Sequence, residues 1–254
     1  MQNLNKKLDS AAEVVSRSKY LVAFTGAGIS VESGIPPFRG ADGLWSKYDP
    51  MVLELSYFYH NPLESWKVIK EIFYDFFGKA APNKAHLALA RLEQLGILKS
   101  VITQNIDNLH QLAGNTRIFE FHGNSQRLIC TNCNEIHIPD KVLLENLPPL
   151  CASCNSLLKP DFIFFGEQIP MDAYKYSIEA AEKCDVFLII GSTGEVSPAN
   201  QIPSIAKRKD ATIIEINPEE SHYTSTLTDI YLCGRAVEIM QLLMARVEKL
   251  IERN

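Results

Sequence analysis

Tyr20-Leu21-Val22-Ala23-Phe24-Thr25-Gly26-Ala27-Gly28-Ile29-Ser30-Val31-Glu32-Ser33-Gly34-Ile35-Pro36-Pro37-Phe38-Arg39-Gly40 is the stretch that decides the fold. Its apolar opening stops abruptly at glycine, which reads as a buried strand ending in a tight turn. A Gly-x-Gly turn after a strand points to phosphate. Without Cβ, glycines let backbone N–H groups approach an anion, and a following helix N-terminus adds partial positive charge. The dinucleotide fingerprint asks for a third glycine where Val31 stands, so the bare turn also fits an ordinary strand-to-loop connection. Gly34, Pro36, Pro37, Gly40 and Gly43 prevent a regular helix over residues 34 to 43. A long loop carrying Ile35, Phe38, Leu44 and Trp45, all costly to leave in water, reads as one that closes over a ligand. Arg39 is its anion contact or a plain surface charge.

The chain has 254 residues, 46% hydrophobic and 22% charged, which suits a soluble globular protein with a substantial core. Its net charge of -5 argues against nonspecific nucleic-acid binding. No apolar run approaches the roughly 20 residues of a membrane span. Met1-Gln2-Asn3-Leu4-Asn5-Lys6-Lys7 lacks the apolar core of a secretory signal, so a cytoplasmic location is expected.

Six cysteines are present, and four form two C-x2-C pairs, Cys130 with Cys133 and Cys151 with Cys154, 17 residues apart. Two such knuckles can close a tetrahedral all-thiolate shell around one zinc, which leaves no open position and makes the metal structural. A redox pair is the alternative. Cys184 and Cys233 stand alone in apolar surroundings and read as buried structural thiols.

Strand and helix patterns alternate along the rest of the chain. Helices are expected over 4–18, 84–95 (capped by Asn83 and stopped by Gly96), 171–183, 199–208 and 234–252. Strands are expected over 100–103, 118–121, 161–165, 185–190 and 211–216. Residues 50–77, dense in Tyr, Phe, Leu and Ile around Asn61-Pro62, read as short helices. His86 is expected as a surface or capping residue. Alternation of this kind implies a doubly wound parallel sheet whose strand-end loops meet at one edge. Gln104-Asn105-Ile106-Asp107 leaves a strand end there, although Asp107 also suits a helix cap. His122, beside Gly123 at another strand end, has the exposure and near-neutral pKa of a general base. Gly191-Ser192-Thr193-Gly194-Glu195-Val196 is a second small, hydroxyl-rich loop suited to phosphate or ribose.

The segments 26–30 (GAGIS), 33–36 (SGIP), 38–40 (FRG), 103–107 (TQNID), 121–123 (FHG) and 165–167 (FGE), with the four cysteines, resemble sirtuins, the NAD-dependent protein deacylases, and most of all their bacterial and archaeal members. The resemblance runs from about residue 20 to about residue 235. It implies a Rossmann-like domain of residues 1–44, 81–122 and 161–254, with a smaller domain made of a helical module, 45–80, and a zinc module, 123–160. Gly26, Ala27, Gly28, Gly191, Ser192 and Thr193 would serve the NAD phosphates, Ser30 would belong to the cofactor site, and Asn217 would bind an adenosine ribose hydroxyl. Phe38, Arg39, Ile106 and Asp107 would wall the nicotinamide pocket, with Gln104 and Asn105 orienting the adjoining ribose. The acyl-lysine oxygen would capture the sugar as nicotinamide leaves, in a pocket kept dry, and His122 would then deprotonate a ribose hydroxyl. An acyl-lysine protein or peptide would lie extended between Phe165-Gly166-Glu167 and Gly194-Glu195-Val196. Glu167 and Glu195 would favour basic flanking residues or stand as solvated charges.

The sequence departs from the family pattern at Pro37 and Gly194. Ile69 and Ile72 fall where relatives acting on acidic acyl groups carry Tyr and Arg, so acetyl or longer apolar acyl groups are expected over succinyl, with Lys70 nearby. NAD hydrolysis, mono-ADP-ribosyl transfer and a non-catalytic NAD-sensing module are the competing readings, and a monomer without nucleic-acid or membrane partners is expected.

Overall fold

The structure is a computed structural model describing residues 2–38 and 43–252; Arg39, assigned above to an anion contact and the nicotinamide wall, lies outside the described residues. In chain order the elements are α1 (Gln2–Arg17), β1 (Leu21–Thr25), α2 (Leu55–His60), α3 (Pro62–Ile69), α4 (Lys84–Gln94), β2 (Leu98–Thr103), α5 (Leu109–Ala113), β3 (Ile118–Glu120), β4 (Gly123–Cys130), β5 (Ile136–His137), α6 (Lys141–Glu145), β6 (Leu158–Phe162), α7 (Met171–Lys183), β7 (Val186–Ile190), α8 (Ile202–Arg208), β8 (Thr212–Asn217), β9 (Ile230–Cys233) and α9 (Ala236–Ile251). Single 3-10 turns at Ala27–Ile29, Val31–Ser33 and Leu44–Ser46 punctuate the glycine loop, as its glycines and prolines require.

Six parallel strands run in the order β3-β2-β1-β7-β8-β9. The order reverses between β1 and β7, and the crevice beyond their C-terminal ends is where open α/β sheets bind ligands. Leu21 and Ala23 of β1 pack with Leu8 and Val15 of α1 and with Ile239 and Leu243 of α9. Val22 and Phe24, on the opposite face, pack with Ala181 of α7 and with Ile202 and Ala206 of α8. Both faces are covered, which is why β1 and β7 read as unbroken apolar runs.

A separate core joins Phe58, Trp66, Ile69, Ile72 and Phe73 to Leu128, Leu158, Phe162 and Phe164. The helical segment and the zinc module therefore pack on one another, and Trp66 Nε1 donates to Leu158 O at 2.9 Å. The zinc module contains a three-stranded sheet in the order β5-β4-β6. The strand expected over 161–165 lies earlier, at Leu158–Phe162, and pairs with β4 rather than with the main sheet. Pro160 within it is tolerated because β6 is an edge strand. Strand β9 was not anticipated from sequence. Cys184 is buried as expected, and burial pushes its thiol up to about 12. Cys233 is exposed at the end of the edge strand β9, contrary to expectation. None of the helices among the described residues is long and apolar enough to cross a membrane.

Candidate active site and metal centre

The turns that leave β1 and β7 cross in direct contact. Gly28 N donates to Gly191 O at 2.9 Å and Gly26 N to Ile190 O at 3.0 Å. A Cβ on Gly26 would stand 2.6 Å from Gly191 O, and one on Gly28 would stand 2.5 Å from Gly191 Cα. The sequence reading credited these glycines with presenting N–H groups to an anion. In the structure both N–H groups are spent on carbonyls, and the crossing itself demands glycine.

Around this crossing the strand ends bring together buried polar side chains. Asn105, 7% exposed, donates through Nδ2 to Gly26 O and to Ser30 Oγ, each at 3.1 Å, which leaves its Oδ1 to accept. Ser30 Oγ donates to Asp107 Oδ2 at 2.7 Å, and Leu109 N donates to Asp107 Oδ1 at 2.9 Å. Asp107 thus binds the first amide of α5, although the N-cap residue of that helix is Asn108 rather than Asp107. Burial raises its carboxyl pKa against the opposing pull of those hydrogen bonds. From the β7 and β8 side, Ser192 Oγ accepts from Gln104 Nε2 at 2.9 Å and Ser192 O accepts from Asn217 Nδ2 at 3.1 Å.

His122 follows β3. Its Nδ1 lies 2.9 Å from Gln104 O. A carbonyl only accepts, so Nδ1 carries the hydrogen and the neutral ring presents Nε2 as a base. Burial lowers the pKa of the ring, and the bond to Gln104 opposes that shift. At neutral pH the imidazole is thus ready to take a proton. Phe38 and Trp45 of the glycine loop form a chain of rings with Phe165, with centroids 5.6 Å and 6.3 Å apart.

Two buried histidines lie under the site. Burial holds His86 down to about 4 and His110 down to about 3, so both are neutral near pH 7. His86 accepts from Asn83 N in a capping box, the role expected of it, but it is fully buried rather than on the surface. His110 Nε2 meets Thr25 Oγ1 at 2.9 Å. Leu89 one turn on from His86 was a hint that His86 faces the core, whereas nothing local marked His110. Glu215 was missed altogether. It is fully buried on β8, and its carboxylate accepts from Asn217 Nδ2 (2.9 Å), Ser221 Oγ (2.5 Å), Thr224 Oγ1 (3.0 Å) and Thr228 Oγ1 (2.6 Å).

The segment assigned to peptide pairing is partly committed elsewhere. Phe165 N donates to Leu53 O at 2.8 Å and Leu55 N donates to Phe165 O at 3.1 Å, so Phe165 already pairs within the protein. Glu167 is not a solvated charge, because its carboxylate binds the buried Lys159 ammonium at 2.9 Å and accepts from Phe164 N at 2.9 Å. Gly194 has φ 79°, and a Cβ there would meet the Tyr223 ring at 2.9 Å, which accounts for glycine at this departure from the family pattern. Lys70 is tied to Asp75 at 2.7 Å, and Ile69 and Ile72 are buried.

Cys130, Cys133, Cys151 and Cys154 converge with their Sγ atoms within 4.8 Å of one another. Sulfurs 3.4 Å (Cys130 and Cys154), 3.7 Å (Cys133 and Cys151) and 3.6 Å (Cys133 and Cys154) apart suit a tetrahedron, since Zn–S bonds of about 2.3 Å place sulfurs about 3.8 Å apart. The two knuckles are built alike. Asn134 N donates to Cys130 O and Asn155 N to Cys151 O, with both asparagines at positive φ, 60° and 57°. Four thiolates fill the coordination shell, so a zinc held there is structural.

A parallel sheet with polar side chains gathered at its switch point, carrying a small module with a closed four-thiolate centre, defines a dinucleotide-binding α/β protein with a structural metal. The Sir2 family profile matches residues 26–198. An NAD-dependent protein deacylase of Pyrococcus abyssi is 45% identical over 248 residues, which cover 95% of this chain and 98% of that relative. NAD-dependent protein deacetylase 1 of Pyrobaculum aerophilum is 41% identical over 247 residues, 96% of each chain. Among solved structures, a Sir2 homologue in complex with NAD has a TM-score of 0.87 at 41% identity, over 95% of this chain and 94% of its own. A Sir2 structure holding a deacetylated p53 peptide and 3'-O-acetyl-ADP-ribose has a TM-score of 0.87 at 35% identity, over 92% and 96%. The chain belongs to the Sir2 family.

Proposed function

We propose that this protein is an NAD-dependent protein-lysine deacylase that moves the acyl group of a modified lysine to ADP-ribose with release of nicotinamide. The observation that carries the reading is His122, whose Nδ1 is fixed by Gln104 O at 2.9 Å and whose Nε2 is left as a base. NAD fits the crevice. Among the described hydrogen bonds the amides of Ala27, Ser192 and Thr193 have no partner, which leaves them for the diphosphate. Asn217 and Asn105, with their Nδ2 groups already engaged, offer Oδ1 to the adenosine and nicotinamide riboses. Ser30 holds the Asp107 carboxylate in place for the carboxamide, and Ile106 completes that wall. Bound there, NAD supplies a glycosidic bond whose cleavage activates the sugar toward the acyl oxygen.

His122 Nε2 takes the proton of a ribose hydroxyl as that oxygen attacks the acyl carbon. Phe38, Trp45 and Phe165 keep water from the activated sugar. The substrate strand pairs with Gly166 and Glu167 on one side and with Gly194, Glu195 and Val196 on the other. Buried Ile69 and Ile72, with Lys70 paired to Asp75, favour acetyl and longer apolar acyl groups over succinyl. The test is acetyl- and succinyl-lysine peptides incubated with the protein, with and without NAD. Lysine should be freed only when NAD is present, and faster from the acetyl peptide. NAD loss that is independent of peptide would instead point to hydrolysis.

A further inference from the structure

A recess of about 520 Å³ lies against the substrate strand, lined by Glu54, Leu55, Ser56, Tyr59, Phe165 and Gly166. Its position is fixed by the backbone. Glu54 forms a parallel bridge with Phe165, so α2 begins directly beside the segment assigned to peptide pairing. Tyr59 and Phe165 expose 52% and 46% of their surfaces, and Leu55 is half-buried between them. This apolar lining ends at one charged group, since Glu54 is the only carboxylate among the six lining residues. No ion pair among the described residues engages the Glu54 carboxylate, whereas that of Glu167 is spent on Lys159.

We propose that this recess is a side-chain subsite for the acylated substrate and that it selects a basic residue, arginine or lysine, flanking the acyl-lysine. The inference rests on the deacylase reading above. An extended peptide paired along Gly166 and Glu167 directs alternate side chains to one face, and the recess opens on that line. A long cationic side chain lays its methylene stem on Leu55, Tyr59 and Phe165 and carries its charge to Glu54, with the Tyr59 ring as a second attraction. An acidic side chain in the same place meets Glu54 as a like charge. Of Glu167 and Glu195, the two acids to which the sequence assigned this selectivity, Glu167 is spent on Lys159, and the recess gives the role to Glu54.

The test is kcat/KM on acetyl-lysine peptides carrying Arg, Ala or Glu at each flanking position in turn, for the wild type, Glu54→Gln and Glu54→Lys. At one position the wild type should prefer Arg over Glu by about two- to fivefold, the scale of a solvent-exposed ion pair, and high salt should shrink the preference. Glu54→Gln should abolish the preference and Glu54→Lys should invert it, with KM for NAD unchanged in both. A merely destabilised variant does not invert a preference. Turnover with the same flanking preference in all three proteins would overturn the subsite alone. Absence of turnover on every peptide would overturn it together with the deacylase reading.

Discussion

Replacing Glu167 with glutamine keeps the shape of the side chain and removes its charge, which leaves Lys159 as an uncompensated buried cation. Lys159 Nζ is held by Phe162 O at 2.7 Å, Glu167 at 2.9 Å and Pro160 O at 3.0 Å, and lies 4.3 Å from the centroid of the Phe164 ring. Breaking a fully buried pair costs about 3–5 kcal/mol. Here two carbonyls remain and the Glu167 side chain is 28% exposed, so Glu167→Gln should cost about 1–3 kcal/mol. Burial lowers the Lys159 pKa below its ordinary 10.5, and Glu167 opposes that shift, so the substitution lowers it further. Between the lowered folded-state pKa and 10.5 the unfolded chain binds more protons than the folded one, so stability contributed by this group rises with pH. The variant gains more over that window, and its deficit against wild type should narrow as the solution is made alkaline. Urea unfolding of wild type, Glu167→Gln, Lys159→Met and the double variant, near neutral pH and again near the lysine range, reads all of this. The double variant should recover most of the loss. A Glu167→Gln protein as stable as wild type, or a double variant no better than Glu167→Gln, would refute the buried-cation account.

Four further outcomes follow from the packing. Stripping zinc with a chelator, or Cys133→Ser, should release one metal ion per chain and speed amide exchange across residues 123–162 and α3, while β1 and β7 stay protected. Gly28→Ala drives a Cβ to 2.5 Å from the Gly191 backbone and should cost about 3 kcal/mol or more in thermal or urea unfolding. Gly34→Ala, at φ 88° with open space around it, should cost only about 1 kcal/mol. Glu215→Gln removes acceptor capacity shared by four donors, so a loss of about 1–3 kcal/mol is expected, with a higher KM for NAD because Asn217 loses its support. Equal NAD kinetics in that variant would detach Glu215 from the cofactor site.

What the sequence made legible was whatever is local. The apolar run of β1 breaking at glycine, the paired C-x2-C knuckles and the Asn83 cap each carry their signal within a few residues. What stayed hidden depends on contacts between distant segments. Strand β9 is four residues long and holds its place at the sheet edge by pairing with β8, too short a run to show a period. The strand expected over 161–165 starts earlier, at Leu158, and takes in Pro160, because nothing in sequence marks which strand of a small sheet lies at its edge. Gly26, Gly28 and Gly191 looked like phosphate ligands because the crossing that excludes a Cβ joins residues more than a hundred positions apart. Glu167 looked solvated because its partner Lys159 sits on the preceding strand, and Glu215 looked like any residue of an apolar strand because three of its four donors follow in the next loop. His122 was found by its place beside a glycine at a strand end. Its tautomer, the part that bears on chemistry, came only with the position of Gln104 O.

The most direct measurement is mass spectrometry of the products formed from an acetyl-lysine peptide and NAD by wild type and by His122→Ala. The account predicts free lysine, nicotinamide and O-acetyl-ADP-ribose in equal amounts from the wild type, and a loss of at least about a hundredfold in lysine release when the base is removed. Free ADP-ribose with the peptide still acetylated, or a His122→Ala protein as active as wild type, would contradict it.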